Sequence, residues 1–348
     1  MKKYERNIDE RKKSFLIIHT NGMGDFLMFT PAYKEILKKY PNCEIDFFIT
    51  NKNVREIISK YPNICTIYSS SLKISDIFNH ILKIRKNKYD YLIVTTGGKT
   101  WKANFLSFLL KAKIKVGEHI YFKSLVYTHS IKRYNFTHFV ENNIRLVRTI
   151  IDFPVSTSYK LWFPLKKRKY LFEKGKKIVI GIHPGCQEAY KERRWPKFKE
   201  LIEKIVEFYP CIEILIFLGK EDLELKNNFL KLKQIRLVEN KGIEEVADLL
   251  KNCNLFINSD SGLGHLYTCF NENIISIFGP NQLGLNQELR TGPYSKKAKI
   301  IKIRGMKENY YKEITTNGVL KCLEDIDIEE ILKFIKSEMI RKYESNNI

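Results

Sequence analysis

The sequence predicts an α/β protein made of two parallel-sheet domains. Three observations carry this. At 348 residues the chain is long for one domain and suits two of ordinary size. Short apolar runs of strand length alternate with longer stretches whose apolar residues recur at helical spacing. Polar, glycine-containing turns follow the apolar runs in both halves, where open parallel sheets bind their ligands. No internal repeat is visible.

Composition narrows the function classes. The net charge is +22, from 61 Lys and Arg against 39 Asp and Glu, which suits an anionic partner such as a phosphorylated substrate or an acidic lipid. The basic residues are scattered, and no zinc-finger spacing, RNA-binding signature or Arg-rich arm is present, so nucleic acid is not an expected partner. Seven widely spaced cysteines, with no C-x-x-C pair, read as reduced thiols and not as a disulfide framework or metal site. The first apolar run, Phe15–Ile18, is too short for a signal peptide or a spanning helix. The expectation is a cytoplasmic protein, with peripheral contact at the inner face of the membrane left open.

Residues 1–13 form a charged arm. Ser14–His19 reads as the first strand, and Phe26–Tyr40 as the helix after it. The turn between them carries Gly22, Gly24 and Asp25. Two glycines let the backbone approach a ligand closely. This is not the dinucleotide fingerprint, because Leu27 stands at the third glycine position. Asp25 sits where an N-cap would sit, and capping explains it completely; the other reading is a carboxylate acting as general base. Strands over Glu44–Ile49, Ile64–Tyr68, Tyr89–Thr95 and Lys113–Gly117 alternate with helices over Val54–Lys60, Ile74–Lys86 and Phe136–Ile151. Thr96, Gly97, Gly98 and Lys99 form a polar turn at a strand's carboxyl end, suited to an acceptor or to capping the next helix.

Residues 152–176, with Pro154, Pro164 and the basic run Lys166–Lys169, read as a linker. Lys177–Ile182 opens the second half as a strand. His183-Pro184-Gly185-Cys186 and a loop with Lys191, Arg193 and Arg194 follow, then Trp195-Pro196 and a helix over Lys197–Tyr209 with Pro196 at its first position. Cations there neutralise a diphosphate leaving group without a metal, or form a solvated basic loop. Cys211–Leu218 is a strand. Glu221 and Asp222 after it suit ribose hydroxyls or a helix dipole. Ile235–Val238 is a strand and Ile243–Lys251 a helix. Leu255–Ile257 leads into Asn258-Ser259-Asp260-Ser261-Gly262, a helix over Leu263–Phe270 and a strand over Ile274–Phe278. A helix start after such a turn favours a diphosphate, while Asp260 or Ser261 as N-cap and Gly262 as turn residue is the plain reading. Lys299–Ile303 is a final strand and Ile326–Tyr343 a final helix.

Several of these segments resemble one family. Asp260-Ser261-Gly262-x-x-His265, with the apolar helix, strand and Phe278-Gly279-Pro280 that follow, resembles the C-terminal signature of the heptosyltransferases, glycosyltransferase family 9. The stretch from Asn21 to Ala32 resembles their opening Gly-Asp motif. His138-x-Val140-x-x-Asn143 resembles an equivalent helix, and His183-Pro184-Gly185 with Arg193-Arg194-Trp195-Pro196 is similar to a further family pattern. The resemblance covers about residues 14–340.

It implies a GT-B architecture, two Rossmann-like domains facing a cleft. Residues 1–160 would bind the acceptor and 161–325 the nucleotide sugar, with a C-terminal helix in 326–348 packing back on the first domain. It implies an inverting, metal-independent transferase that uses no cofactor. The donor would be a nucleotide sugar, ADP-heptose, and the acceptor an anionic lipid-linked or oligosaccharide chain of the lipopolysaccharide-core type. Asp25 would be the base. Gly185, Lys191 or Arg193, Glu221 (with Asp222 as fallback), Asp260, Ser261, Gly262 and His265 would hold the donor, and Gly22, Gly24, Thr96 and Lys99 the acceptor. Arg193 stands where the family has a Lys, a fork in place of a point charge. Another sugar nucleotide, an epimerase of the same architecture and a basic binding module are the alternatives.

Overall fold

The computed structural model describes residues 12–70, 74–97, 100–120, 125–134, 136–156, 158–165, 178–210, 212–230, 232, 234–279, 287–303 and 313–337. Gly98, Lys99, the 166–169 basic run and the chain beyond 337 lie outside them. The chain divides into two compact units, one of residues 1–134 and 139–157, the other of residues 135–138 and 158–348.

The first unit carries a parallel sheet of β1 (Ser14–His19), β2 (Glu44–Ile49), β3 (Ile64–Ser69), β4 (Tyr89–Val94), β5 (Ala112–His119) and β6 (His129–Lys132). Their order is β3-β2-β1-β4-β5-β6. Between them run α1 (Met23–Lys39), α2 (Arg55–Ile58), α3 (Ile74–Ile84) and α4 (Thr100–Leu109), and after β6 comes α5 (Phe139–Arg148). Alternation along β1 and β2 sorts the two faces. Phe47 meets the rings of Phe26 and Tyr33 on α1. Leu16, Ile18, Phe48, Leu92 and Val94 form one core with Ile81 and Ile84 of α3 and Ala103 and Leu106 of α4.

The second unit repeats the plan with β7 (Ile178–His183), β8 (Ile212–Phe217), β9 (Ile235–Val238), β10 (Leu255–Ser259), β11 (Ile274–Ile277) and β12 (Lys299–Ile301), ordered β12-β11-β10-β7-β8-β9 and all parallel. Its helices are α6 (Phe198–Phe208), α7 (Ile243–Asn252), α8 (Gly262–Thr268), α9 (Glu288–Thr291), α10 (Lys321–Glu324) and α11 (Ile328–Ile335). In each sheet the strand order reverses beside the first strand, between β1 and β4 and between β10 and β7. Open α/β sheets bind ligands at the carboxyl ends next to such a reversal.

The structure departs from the expected elements in several places. Asp25 is not the N-cap of α1. Gly22 holds that position in extended conformation, and Asp25 lies one turn in, its Oδ2 accepting the Gly22 N–H at 3.3 Å. Pro196 precedes the α6 N-cap, Lys197, instead of opening the helix. The segment after Gly219 winds as a 3₁₀ helix over Lys220–Asn228. β6 is a strand that the sequence pattern did not signal, because only Ile131 of its four residues is apolar and buried. Residues 158–165 belong to the second unit, where Leu161 and Phe163 are buried at alternate positions and Phe163 meets the edge of the Phe270 ring.

Over its described residues the final helix packs within its own unit. Ile328, Ile331, Leu332 and Ile335 are buried in one core with Leu201, Ile202 and Ile205 of α6. Spacing of three and four residues makes this an apolar stripe, which the adjacent apolar face of α6 covers. Ile331→Ala is expected to destabilise the second unit by about 2–4 kcal/mol, read by urea unfolding; a loss under about 0.5 kcal/mol, the level of an exposed site, contradicts this packing.

Candidate active site

In the second unit the loop after β7 is held down from three sides. Asp222 is buried, and its carboxylate accepts the backbone N–H of Cys186 at 3.2 Å and of Gly219 at 3.3 Å. Arg194 closes the arrangement, its guanidinium donating to Asp222 at 2.8 Å, to Glu224 at 2.5 Å and to the Glu221 carbonyl at 3.0 Å. Gly185 has no Cβ for a reason visible here: a Cβ would lie 2.1 Å from the Asp222 carboxyl carbon. At the far end of the loop the Trp195 backbone N–H donates to Ser259 Oγ at 3.3 Å, and the indole fills the sheet core.

These contacts sort the expected donor residues. Asp222 is consumed by the scaffold, which removes it as the ribose fallback and leaves Glu221, half-buried, beside it. Lys191 turns its ammonium to Glu224 at 3.3 Å. Arg193 turns the other way. Its Nη1 lies 3.4 Å from Asp260 Oδ2, and its guanidinium carbon sits 4.0 Å above the Tyr190 ring. Its Nε is buried without a hydrogen bond, the Glu192 carboxylate lying 3.9 Å away. Arg193 therefore joins the loop after β7 to the turn after β10, two segments 67 residues apart.

That turn has its own supports, which the sequence reading missed. Ser276 of β11 donates to Asn258 Oδ1 at 2.7 Å, and Asn258 Nδ2 donates to Ser261 Oγ at 3.1 Å. A polar residue inside the apolar run of β11 was the available signal. Ser261 is the N-cap of α8, yet its hydroxyl oxygen accepts from Asn258 and not from the helix N–H groups, and its hydrogen is available to donate. Gly262 opens the helix. Asp260 does not cap either. Burial pushes its carboxyl up to about 6, only partly offset by Arg193. His265 is buried and held neutral near 3 by that burial and by His138, with a hydrogen bond to the Thr291 carbonyl. Its Nδ1 has no hydrogen-bond partner. His138, grouped with this unit, donates from Nε2 to the Gly292 carbonyl at 3.0 Å and lies 4.8 Å from the Tyr294 ring.

In the first unit the turns after β1 and β4 meet at the strand-order reversal. His19 Nε2–H donates to the Gly22 carbonyl at 3.1 Å, which leaves Nδ1 to accept from Thr95 at 2.9 Å. Burial lowers His19 to about 4, so the ring is a neutral strut. Asn21 Nδ2 donates to the Thr96 carbonyl at 3.2 Å, and the Thr96 N–H donates to Asn143 Oδ1 at 3.1 Å. Gly97 adopts φ +95°, where a Cβ would also strike the Phe139 ring at 2.4 Å. Gly24 lies within α1. Thr96 is buried, and its Oγ1 has no hydrogen-bond partner. Asp25 is half-buried in the first turn of α1. Among the described residues there is no group of three or more His, Cys, Asp or Glu able to hold a metal ion.

Two parallel-sheet Rossmann-like halves, each with polar turns at its strand-order reversal, define the GT-B class of glycosyltransferase fold. The family model of glycosyltransferase family 9 (heptosyltransferase) matches residues 77–319. The chain belongs to that family. It is 24% identical to lipooligosaccharide heptosyltransferase 2 of Haemophilus influenzae, over 94% of this chain and 100% of that protein. Among solved structures it resembles a glycosyl transferase family 9 protein from Veillonella parvula, with TM-score 0.74 and 20% identity over 95% of this chain and 99% of that one. It also resembles E. coli heptosyltransferase WaaC with ADP, with TM-score 0.68 and 16% identity over 93% and 99% of the two chains.

Two outcomes follow from these contacts. Arg194→Ala strands the buried Asp222 charge and is expected to cost about 3–5 kcal/mol in denaturant unfolding, while Lys191→Ala, which breaks an exposed pair, costs no more than about 1 kcal/mol. The Asp260 carboxyl sits above its ordinary value, so its burial costs nothing at low pH and its full amount above about pH 6. Asp260→Asn is therefore expected to melt higher than wild type at pH 7.5 and to lose that advantage as pH falls toward 4. An advantage independent of pH argues against a buried, titrating Asp260.

Proposed function

We propose that this chain transfers a heptose from ADP-heptose to a lipopolysaccharide-core or related glycan acceptor, with inversion and without a bound metal. One observation carries the donor site: Arg193, stacked on Tyr190, meets Asp260 beside the Ser261-Gly262 turn at the strand-order reversal of the second sheet. A cation, a hydroxyl left free to donate and backbone N–H groups at a helix start are the groups a diphosphate needs. The family supports the sugar, and the WaaC structure with ADP supports the nucleotide.

In the proposed reaction the acceptor hydroxyl oxygen attacks the anomeric carbon as the bond to the diphosphate oxygen breaks. Asp25 takes the hydroxyl proton, and ADP leaves with the electron pair. Arg193 and the Ser261 hydroxyl take up charge growing on the leaving group, which is worth more in a partly dry site than in water. Glu221 accepts from the ribose hydroxyls. His265, neutral at working pH, contributes as a hydrogen-bonding group and not as a cation. Gly22 shapes the turn that presents Asp25.

Calorimetric titration with ADP, UDP, GDP and CDP in the presence of a chelator tests the donor. One saturable site selective for ADP is expected, and Arg193→Ala is expected to weaken it about tenfold or more. Selectivity for UDP moves the function to another transferase or an epimerase. Asp25→Asn is expected to lower kcat by about 10²–10⁴-fold with ADP affinity unchanged; an unaltered kcat removes Asp25 from the role of base.

A further inference from the structure

We propose, on the donor-site reading above, that Asp260 meets the donor diphosphate as a neutral carboxylic acid. On binding, Arg193 passes from Asp260 to a phosphate oxygen. Asp260 takes one proton from solvent and shares it with the diphosphate in a hydrogen bond. The proton returns to solvent when ADP leaves. The geometry of the pair points to this exchange. A buried carboxylate that stays ionised collects several strong hydrogen bonds. Asp222 does so, with two backbone N–H groups and Arg194 at 2.8 Å. Asp260 does not. Its side chain is 16% exposed, and its carboxylate has one bond, from Arg193 Nη1 at 3.4 Å. Strong charge-assisted bonds are shorter, at about 2.7–2.9 Å. Arg193 is under-bonded as well, because its Nε is buried without a partner. The guanidinium is held independently by the Tyr190 ring, 4.0 Å below it, and so keeps its place when it exchanges one oxygen for another.

Charge decides the protonation state. An ionised carboxylate only accepts hydrogen bonds, so it repels a diphosphate and offers it nothing. Once phosphate engages Arg193, Asp260 loses its one cation and gains anionic neighbours. Both changes favour the protonated form. Burial already pushes the carboxyl up to about 6, which puts the proton within reach near neutral pH. The surrounding groups do not oppose it. Arg193 comes from the loop after β7, with the Glu192 carboxylate on its other side, 3.9 Å from Nε. On α8 His265 is neutral, and so is His138, lowered to about 4 by burial. Lys191 and Arg194 are matched by Glu224 and Asp222, and Lys302 pairs with Glu288. Protonation thus turns Asp260 from a like charge into a donor beside Arg193 and the Ser261 hydroxyl, where charge grows on the leaving group.

Titration of the full chain with ADP and a chelator, repeated in buffers of different ionisation enthalpy, counts the protons. At pH 7.5 wild type is expected to take up about one proton more than Asp260→Asn, whose amide is neutral at every pH. The difference cancels the proton that the terminal phosphate of ADP exchanges. Binding raises the Asp260 carboxyl further, so affinity falls as pH rises. Above about pH 6 wild type is expected to lose about tenfold in affinity per pH unit relative to Asp260→Asn. At pH 8 the Asn variant, which donates without needing a proton, is expected to bind ADP more tightly than wild type. Asp260→Ala, which removes the donor, is expected to bind about tenfold more weakly than Asp260→Asn. Melting temperatures show that the variants are folded. Equal proton counts in wild type and Asp260→Asn overturn the proposal. Loss of ADP binding in a folded Asp260→Asn also overturns it, since the site then requires an ionised carboxylate. Wild type that binds no ADP refutes the donor-site reading and the proposal with it, whereas ADP binding without the proton difference refutes the proposal alone.

Discussion

The second unit depends on one buried carboxylate. Asp222 accepts from two backbone N–H groups in different loops and from Arg194, and so ties the turn after β8 to the turn after β7. An unpaired charge at this depth is costly, so the three donors and the acceptor exist as a set. The set also divides the work of two adjacent arginines. Arg194 is drawn inward to neutralise Asp222, and the extended backbone at that residue sends Arg193 the opposite way, toward Asp260. The direction Arg193 takes is thus set by its neighbour's burial.

The turn after β10 shows the converse strategy. Here buried polar groups are left incompletely matched. Asp260 keeps a raised carboxyl, Arg193 keeps a buried Nε without a bond, and His265 keeps a buried Nδ1 without one. Native interiors rarely tolerate such groups without cause. They cluster at a strand-order reversal, where open parallel sheets bind ligands. In the first unit the equivalent turns are braced by His19, Asn21 and Asn143, while Thr96 Oγ1 is buried without a hydrogen bond.

Much of this was legible along the chain. Buried parallel strands are short and almost wholly apolar, so β1, β2, β4, β7, β8 and β10 announced themselves, as did the polar turns at their ends. Weaker signals failed for physical reasons. β6 is an edge strand with one buried apolar residue, so it has little hydrophobic pattern to read. The final helix was legible, but a helix range does not say which surface covers its apolar side, and α6 does so.

The sequence by itself determined the two-domain α/β plan, the strand-end turns and the residue types able to meet a diphosphate. These follow from local periodicity and from turn chemistry, which act over a few residues. Tertiary structure alone decided that Asp222 belongs to the scaffold, that Lys191 pairs with Glu224, that Thr96 is buried and that Arg193 reaches Asp260. Those outcomes depend on which polar groups, 28 to 67 residues apart, share one small volume, and a pairing of that range is set by folding and not by spacing.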